Sequence, residues 1–148
     1  MDVTIDWFWE GNVVAIITKA LEAEGWKIVE AADTRSKAPG IDIHATRNQV
    51  TLLVEAKGYP STKYRDPRRA LEQKPTNPTN QAQHWYSHAL LKALRLQNKH
   101  PNARIAIAFP DFPRYRSLFD ETQGGLRMLG VGVIFTRESG TVEEWGIE

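Results

Sequence analysis

The sequence predicts an α/β domain with a mixed β-sheet between helices. Three observations carry this prediction: a helical repeat near the N-terminus, two β-rich runs that form a hairpin, and later apolar strands that alternate with amphipathic helices. The chain has 148 residues, of which 41% are hydrophobic and 25% charged. These values suit one domain over residues 1–148 with a single layered core.

The first half of the chain contains one predicted helix and three predicted strands. The helix covers Trp7–Glu24, because its apolar residues recur at helical spacing, and Gly25 is its expected stop. A short strand is expected over Trp26–Glu30. Two β-rich runs, Ile41–Thr46 and Val50–Lys57, predict an antiparallel hairpin.

The second half alternates helices and strands. The predicted elements are a helix over Thr79–Asn98, a strand over Ala103–Phe109, a helix that opens at Asp111–Pro113 and runs through Phe119, a strand over Val131–Thr136 and an edge strand over Thr141–Trp145. Gly124-Gly125 is a candidate break in the second of these helices, and Leu126–Leu129 is the candidate for its last turn. The coarse order is therefore αβββαβαβ, followed by a short edge strand.

The net charge of +1 hides an uneven distribution. Residues 1–34 carry a net charge of −5 and residues 138–148 carry −4, so residues 35–137 carry +10. A basic middle of this kind indicates either a polyanion-binding surface or a solvated face. Within it, a Pro-rich basic flap at about 58–80 is either a lid over a nucleic acid or a solvated insertion. Its candidate nucleic-acid-binding residues are Lys63, Arg65, Arg68 and Arg69.

Several classes of protein are excluded or disfavoured by composition. The chain has no cysteine, which excludes disulfides, cysteine-ligated zinc, iron–sulfur clusters and thiol nucleophiles. No stretch approaches the roughly 18 uninterrupted apolar residues that a membrane-spanning helix needs. The N-terminus lacks the pattern of a secretory signal. We therefore expect a cytoplasmic protein without a membrane partner.

The hairpin carries the residues that indicate chemistry. If Arg47 and Asn48 form its turn, Asp42 lies opposite Leu53, and Glu55 is its diagonal neighbour on the same side of the sheet. Two carboxylates and the ammonium of Lys57 then converge at the open end of the hairpin. Carboxylates this close repel each other unless a cation lies between them. Hard oxygen ligands suit Mg²⁺ or Mn²⁺.

Simpler interpretations of these acidic residues stay open. Asp42 can cap a turn after Gly40, and Glu55 with Lys57 can form a cross-strand charge pair on the surface. Glu10 begins the apolar stripe of the first helix, where a carboxylate needs a basic partner or a metal. It can equally be an acidic residue that stabilises the helix N-terminus.

The pattern resembles that of the PD-(D/E)XK nuclease superfamily. Pro39-Gly40-Ile41-Asp42 is followed after twelve residues by Glu55-Ala56-Lys57, and a helix with Glu10 precedes both. The resemblance covers about Trp7 to Leu94, and the order of elements extends it to Phe109. It implies a restriction-endonuclease-like αβββαβ core with a mixed β-sheet flanked by helices.

The resemblance also implies a role for each matched residue. Asp42 and Glu55, joined by the backbone carbonyl of Ala56, would bind Mg²⁺ or Mn²⁺. Lys57 would orient the attacking water or stabilise charge on the phosphate, and Glu10 would bind a second metal or its water. Relatives often carry a glutamine on the next helix, and Gln81 is the candidate for that position.

Other polar residues have two interpretations each. Arg114 and Arg116, which flank Tyr115, can contact phosphates or belong to a plain amphipathic helix. His84 and His88 have the spacing of a helical metal pair, but no third ligand is evident. Trp85 and Tyr86 are expected in the core.

Together, the residues and the resemblance predict a metal-dependent nuclease that hydrolyses phosphodiester bonds, with DNA as the expected substrate. The alternatives are a catalytically inactive nucleic-acid-binding protein of the same fold and an interaction domain whose acidic ends matter most. No reader domain for specific sequences is evident. Specificity would therefore come from a homodimer, the basic flap or a specificity partner protein.

Overall fold

The computed structural model describes residues 5–31, 40–60 and 78–147. They form three helices and six strands, in the predicted order, which confirms the α/β fold and its αβββαβ core. The elements are α1 (Glu10–Ala23), β1 (Lys27–Ala31), β2 (Ile43–Arg47), β3 (Val50–Ala56), α2 (Pro78–Lys99), β4 (Arg104–Pro110), α3 (Pro113–Leu129), β5 (Val131–Thr136) and β6 (Val142–Trp145).

The six strands form one mixed sheet in the order β1-β2-β3-β4-β5-β6. β1, β2 and β3 are antiparallel to one another, β3, β4 and β5 are parallel, and β6 returns antiparallel to β5. α1 packs on one face of the sheet, and α2 and α3 pack on the other. Both faces of the central strands are buried, so β4 and β5 are nearly continuous apolar runs.

α1 begins later than its apolar pattern predicted. Its first helical residue is Glu10, because Trp9 at the N-cap is extended (φ −67°, ψ 141°). The helix ends as predicted, since Gly25 adopts φ +93° and its N–H donates to the carbonyl of Glu22. The buried residues of α1 are Val13, Val14, Ile17 and Leu21.

The predicted register of the β2–β3 hairpin is wrong by two residues. The turn is formed by Asn48 and Gln49, whose φ angles are +50° and +68°, and not by Arg47 and Asn48. Arg47 therefore pairs with Val50. A shift by two residues keeps every side chain on its predicted face, because side chains alternate with period two. The observed register places Asp42 level with Glu55 rather than with Leu53.

α2 packs against the sheet through a stripe of five buried residues: Ala82, Tyr86, Ala89, Ala93 and Leu96. The hydroxyl of Tyr86 lies 2.6 Å from Oγ1 of Thr122 on α3, so the buried phenol is satisfied. Trp85, expected in the core, is only half-buried.

The candidate break at Gly124-Gly125 does not occur, because α3 continues to Leu129, and Leu126–Leu129 forms its last turn as the alternative predicted. Phe119 precedes the two glycines and Leu126 follows them. Both side chains are buried in the same core cluster. This packing outweighs the roughly 1 kcal/mol that each glycine costs inside a helix. The helix ends at Gly130, which is left-handed with φ +71°.

The predicted cap at the start of α3 is also different. Phe112 occupies the N-cap without a side-chain hydrogen bond. Asp111 instead accepts hydrogen bonds from the guanidinium of Arg116.

Among the described residues, no helix is long and apolar enough to cross a membrane.

Candidate active site

Asp42 and Glu55 meet at the open end of the β2–β3 hairpin. Both are almost fully buried, with 9% and 3% of their surface exposed. Oδ2 of Asp42 accepts a hydrogen bond of 2.9 Å from the N–H of Ala56, which joins the two strand ends. The ammonium of Lys57, directly after β3, lies 3.6 Å from Oε1 of Glu55. The three residues that the hairpin pattern singled out are therefore neighbours.

A second ammonium, from Lys92 on α2, also reaches this site. Its Nζ lies 3.2 Å from Oε2 of Glu55 and donates a hydrogen bond of 2.6 Å to the carbonyl oxygen of Gly40. Sequence reasoning missed Lys92. The sequence contains a weak signal for this role. Lys92 lies beside the buried stripe of α2, and α2 has no acidic residue with which it could pair.

Glu10 supplies a third carboxylate, within electrostatic reach of Asp42. Burial raises the pKa of Glu10, and the nearby charge of Asp42 raises it further, while Lys57 and Lys92 lower it. These mutual effects place Glu10 within electrostatic reach of the same cluster. Glu10 is the first residue of α1, ahead of the buried stripe that begins at Val13.

The chain that leaves β3 holds the start of α1 against the site. The N–H of Tyr59 donates to the carbonyl oxygen of Phe8 over 3.0 Å. A Cβ on Gly58 would lie 2.6 Å from that oxygen and 2.7 Å from the backbone nitrogen of Glu10, so only glycine fits this contact. The hydroxyl of Tyr115 donates to the carbonyl oxygen of Gly58 over 2.7 Å and fixes the segment from the side of α3.

The electrostatics of the cluster favour a bound cation. Burial, followed by the charge of Asp42, raises the pKa of Glu55 to about 7, and Lys92 and Lys57 offset part of this effect. A positive ion beside Glu55 and Asp42 would offset the repulsion between their carboxylates.

The donor set fits a hard divalent cation. Asp42 and Glu55 offer carboxylate oxygens of the kind that Mg²⁺ and Mn²⁺ prefer. Within residues 5–31, 40–60 and 78–147, however, no three acidic or histidine side chains are arranged as a ready set of ligands. Glu55 has Lys57 and Lys92 as its partners instead, so a divalent ion would compete with these ammonium groups.

Among the described residues, no contact supports the predicted catalytic role of Gln81. Its amide oxygen is buried without a hydrogen-bond partner among the described residues. It lies eleven residues before Lys92, which corresponds to about 16 Å along the helix axis. The α2 residue that contacts Glu55 is Lys92.

The two candidate arginines of α3 are engaged within the fold. Arg114 donates a hydrogen bond of 2.6 Å to Oε1 of Gln83 on α2. Arg116 pairs with Asp111 at 2.7 Å and Glu143 at 3.0 Å. These contacts favour a structural role for Arg116, and nucleic-acid binding by either arginine stays a prediction. Lys63, Arg65, Arg68 and Arg69 of the basic flap lie outside the described residues.

The comparisons with known proteins bear on the fold alone. Neither the protein-family models nor the curated proteins gave a match. Two solved structures are similar. One is a fdxN element excision controlling factor protein from Anabaena variabilis (TM-score 0.56, 16% identity, 92% of this chain and 98% of that chain covered). The other is an XisH family protein from Nostoc punctiforme (TM-score 0.51, 19% identity, 95% and 98% covered). At these identities the likeness shows a shared fold.

Proposed function

We propose that this protein is a metal-dependent nuclease that hydrolyses phosphodiester bonds in DNA. The observation that carries the proposal is the convergence of Asp42, Glu55 and Lys57 at the end of one hairpin, with Oδ2 of Asp42 bonded to the N–H of Ala56. Buried carboxylates beside lysines have no packing purpose at the end of a strand, and they are costly to bury without a function.

The proposed roles follow from the positions of the side chains. Asp42 and Glu55, with the carbonyl oxygen of Ala56, would hold Mg²⁺ or Mn²⁺. The bound ion would supply positive charge that favours an attacking water and neutralises the phosphate. Lys57, beside Glu55, would orient that water or stabilise charge that develops on the phosphate. Glu10 would hold further metal-site water or a second ion.

The name of the Anabaena protein, a fdxN element excision controlling factor, refers to control of the excision of an element. Within the proposed function, that name favours a role in excision or recombination over restriction. The shared fold is the basis for this preference, and the catalytic residues of this chain are proposed from its own geometry.

A second candidate is a nucleic-acid-binding protein of the same fold without catalysis. One observation favours it: both carboxylate oxygens of Glu55 face ammonium groups, at 3.6 Å and 3.2 Å. A carboxylate neutralised in this way binds a divalent ion less well than a free one.

A cleavage panel separates the two candidates. Plasmid, linear duplex, single-stranded, forked and four-way-junction DNA are incubated with the protein in Mg²⁺, Mn²⁺ or EDTA. The variants are Asp42→Asn and Lys57→Gln, and the matched controls are Asp120→Asn and Lys19→Gln, whose side chains are exposed. Metal-dependent cleavage that only the first two variants lose supports the nuclease. Tight binding without cleavage under any metal supports the second candidate and rejects the first.

A further inference from the structure

The lysine, arginine and histidine residues of α2, His100 excepted since it follows the helix, form a single stripe along it. α2 contains no aspartate or glutamate, and its basic and histidine residues are spaced by four, four, three and four positions. This spacing keeps them on one side of a helix. We call these residues the α2 basic stripe: His84, His88, Lys92, Arg95 and Lys99.

The side of α2 that carries the stripe faces β2. Lys92 contacts Gly40, just before β2, and Glu55 on β3. The opposite side of α2 faces α3, since Gln83 accepts from Arg114 and Gln97 donates to the carbonyl oxygen of Leu129. The stripe therefore borders the part of the sheet that lies next to the candidate active site.

A groove lies beside this stripe, over β1 and β2, and Lys99 is the stripe residue that lines its described cavity. α2 packs on β3 and β4, and α3 packs on β5, so no described helix packs across β1 and β2 on this face. A cavity of about 480 Å³ occupies the far end of the groove, lined in part by His44, Thr51, Lys99 and His100. His44 pairs with Leu53, which belongs to the core cluster on the α2 side of the sheet, so His44 and Asp42 share that side by alternation.

We propose that this groove binds a phosphodiester strand that leads away from the candidate active site. The proposal rests on the proposed nuclease function for the position of the scissile phosphate. The stripe extends about 22 Å from His84 to Lys99, and Lys92, inside it, is also part of the carboxylate cluster. A row of basic and histidine residues on a helix without acidic residues fits a regularly charged polymer, because each phosphate neutralised by a lysine or an arginine releases counterions.

Outside the pair Asp42 and Glu55, an acidic residue of β1 also opposes this charge. Glu30 on β1 pairs across the sheet with His44 and is exposed. Because like charges repel, Glu30 should weaken the binding of a phosphate in the groove. It therefore provides a substitution with the opposite expected effect.

The test measures binding in EDTA, where the proposed metal-dependent cleavage cannot proceed. Fluorescence anisotropy follows a labelled single-stranded oligonucleotide and the matching duplex over a range of NaCl concentrations. The variant is Arg95→Gln/Lys99→Gln, which leaves the candidate catalytic residues intact. The single variant Lys99→Gln is compared with the control variant Lys19→Gln. Lys19 is exposed on α1, which packs on the other face of the sheet.

We expect the double variant to flatten the salt dependence of binding. Two lost phosphate contacts lower the slope of log K against log salt by about 1.4 for a single strand or about 1.8 for a duplex. For the single strand this corresponds to roughly 25-fold weaker binding at about 0.1 M salt. The form that occupies the groove is the one whose slope falls by its own expected amount, about 1.4 for the single strand or about 1.8 for the duplex. Lys19→Gln should leave the slope unchanged, and Glu30→Gln should tighten binding.

Two results would overturn the groove proposal: wild-type protein that binds neither oligonucleotide, or a slope that changes equally in the Lys99→Gln and Lys19→Gln variants. Its failure is distinguishable from failure of the nuclease proposal. Metal-dependent cleavage with an unchanged slope in the double variant rejects the groove alone. A flattened slope without cleavage supports the groove and rejects the nuclease. Thermal unfolding confirms that each variant is folded.

Discussion

The ammonium of Lys92 lies 3.2 Å from Oε2 of Glu55 and donates a hydrogen bond of 2.6 Å to the carbonyl oxygen of Gly40. One side chain of α2 thus ties together the end of β3 and the segment that leads into Asp42. Because an ammonium group already neutralises Glu55, a divalent cation that enters the cluster must compete with it.

Substitution of Lys92 by methionine should therefore have two opposite effects. In EDTA the free energy of unfolding should fall by about 1–2 kcal/mol, because the buried carboxylate of Glu55 loses a charged partner. Above the pKa of Glu55, the affinity for Mg²⁺ or Mn²⁺ should rise, because the competing cation is gone. Urea unfolding and isothermal titration with each ion measure the two effects.

The exposed Lys19 on α1 provides the control for this substitution. Lys19→Met should change neither the free energy of unfolding nor the metal affinity by a measurable amount. A Lys92→Met variant that binds Mg²⁺ more weakly than the wild type would show that the ammonium assists the metal rather than competing with it.

The raised pKa of Glu55 predicts a specific pH dependence of stability in metal-free buffer. The folded-state pKa is about 7, against an ordinary value of 4.5, because burial and Asp42 disfavour the charged form. Between these values the folded state binds more protons than the unfolded state, so the free energy of unfolding falls as pH rises. The contribution of Glu55 is fully present below its ordinary pKa and lost above about pH 7. It amounts to at most about 3 kcal/mol.

A Glu55→Gln variant should remove this dependence. The amide cannot ionise, so the stability of the variant should change less between pH 4.5 and pH 7 than that of the wild type. Urea unfolding in EDTA at several pH values measures the difference. Parallel pH profiles for the two proteins would mean that another group titrates in this range.

Gly58 offers a test of how the site holds its third carboxylate. A Cβ at this position would lie 2.6 Å from the carbonyl oxygen of Phe8 and 2.7 Å from the backbone nitrogen of Glu10. Gly58→Ala should therefore push the start of α1 away and cost about 1–3 kcal/mol of stability. Chemical denaturation measures the cost, and loss of cleavage beyond the loss of stability would indicate that Glu10 has moved.

Gly124 is the matched control for this substitution. It lies inside α3, and a Cβ there would meet nothing within 4 Å. Gly124→Ala should stabilise the protein by about 0.5–1 kcal/mol, because alanine loses less backbone freedom in a helix. Similar losses of stability in both variants would contradict the close contact at Gly58.

Much of the fold could be predicted from hydrophobic periodicity. The alternation in β2 and β3 placed Asp42 and Glu55 on one side, and an error of two residues in register did not alter this, because the period of a strand is two. The error itself arose at the turn. Gln49 adopts φ +68°, a conformation that glutamine seldom takes, so the sequence favoured a turn one residue earlier.

Tertiary geometry accounts for what the sequence could not show. Lys92 reaches Glu55 because of the angle at which α2 crosses β3 and β4, and no local pattern encodes that angle. In the same way, the candidate break at Gly124-Gly125 does not occur, because the packing of Leu126 lies outside the local signal. Arg116 likewise pairs with Glu143, a residue of β6 that is far from it in the sequence, so the local pattern could not show this ion pair.

These ion pairs allow a test of whether Arg116 stabilises the fold or binds nucleic acid. Its guanidinium donates to both carboxylate oxygens of Asp111, pairs with Glu143 and lies 3.9 Å from the centre of the Phe135 ring. Hydrogen bonding from Arg116 lowers the pKa of Asp111. Arg116→Gln should therefore cost about 1 kcal/mol of stability at neutral pH. Part of this loss should disappear as pH falls and Asp111 is protonated, because the wild type then loses the same interaction.

Binding to DNA should respond differently at the neighbouring arginine. Within the described part of the chain, Arg114 is held by the side-chain amide of Gln83 and the carbonyl of Thr79, so it can turn toward a phosphate at little cost. Arg114→Gln should then weaken binding and lower the salt slope by about 0.7–0.9, whereas Arg116→Gln should leave the slope unchanged. Anisotropy titrations over a range of salt, paired with thermal unfolding of both variants, measure this contrast. A flattened slope in Arg116→Gln with unchanged stability would instead assign Arg116 to the nucleic-acid surface.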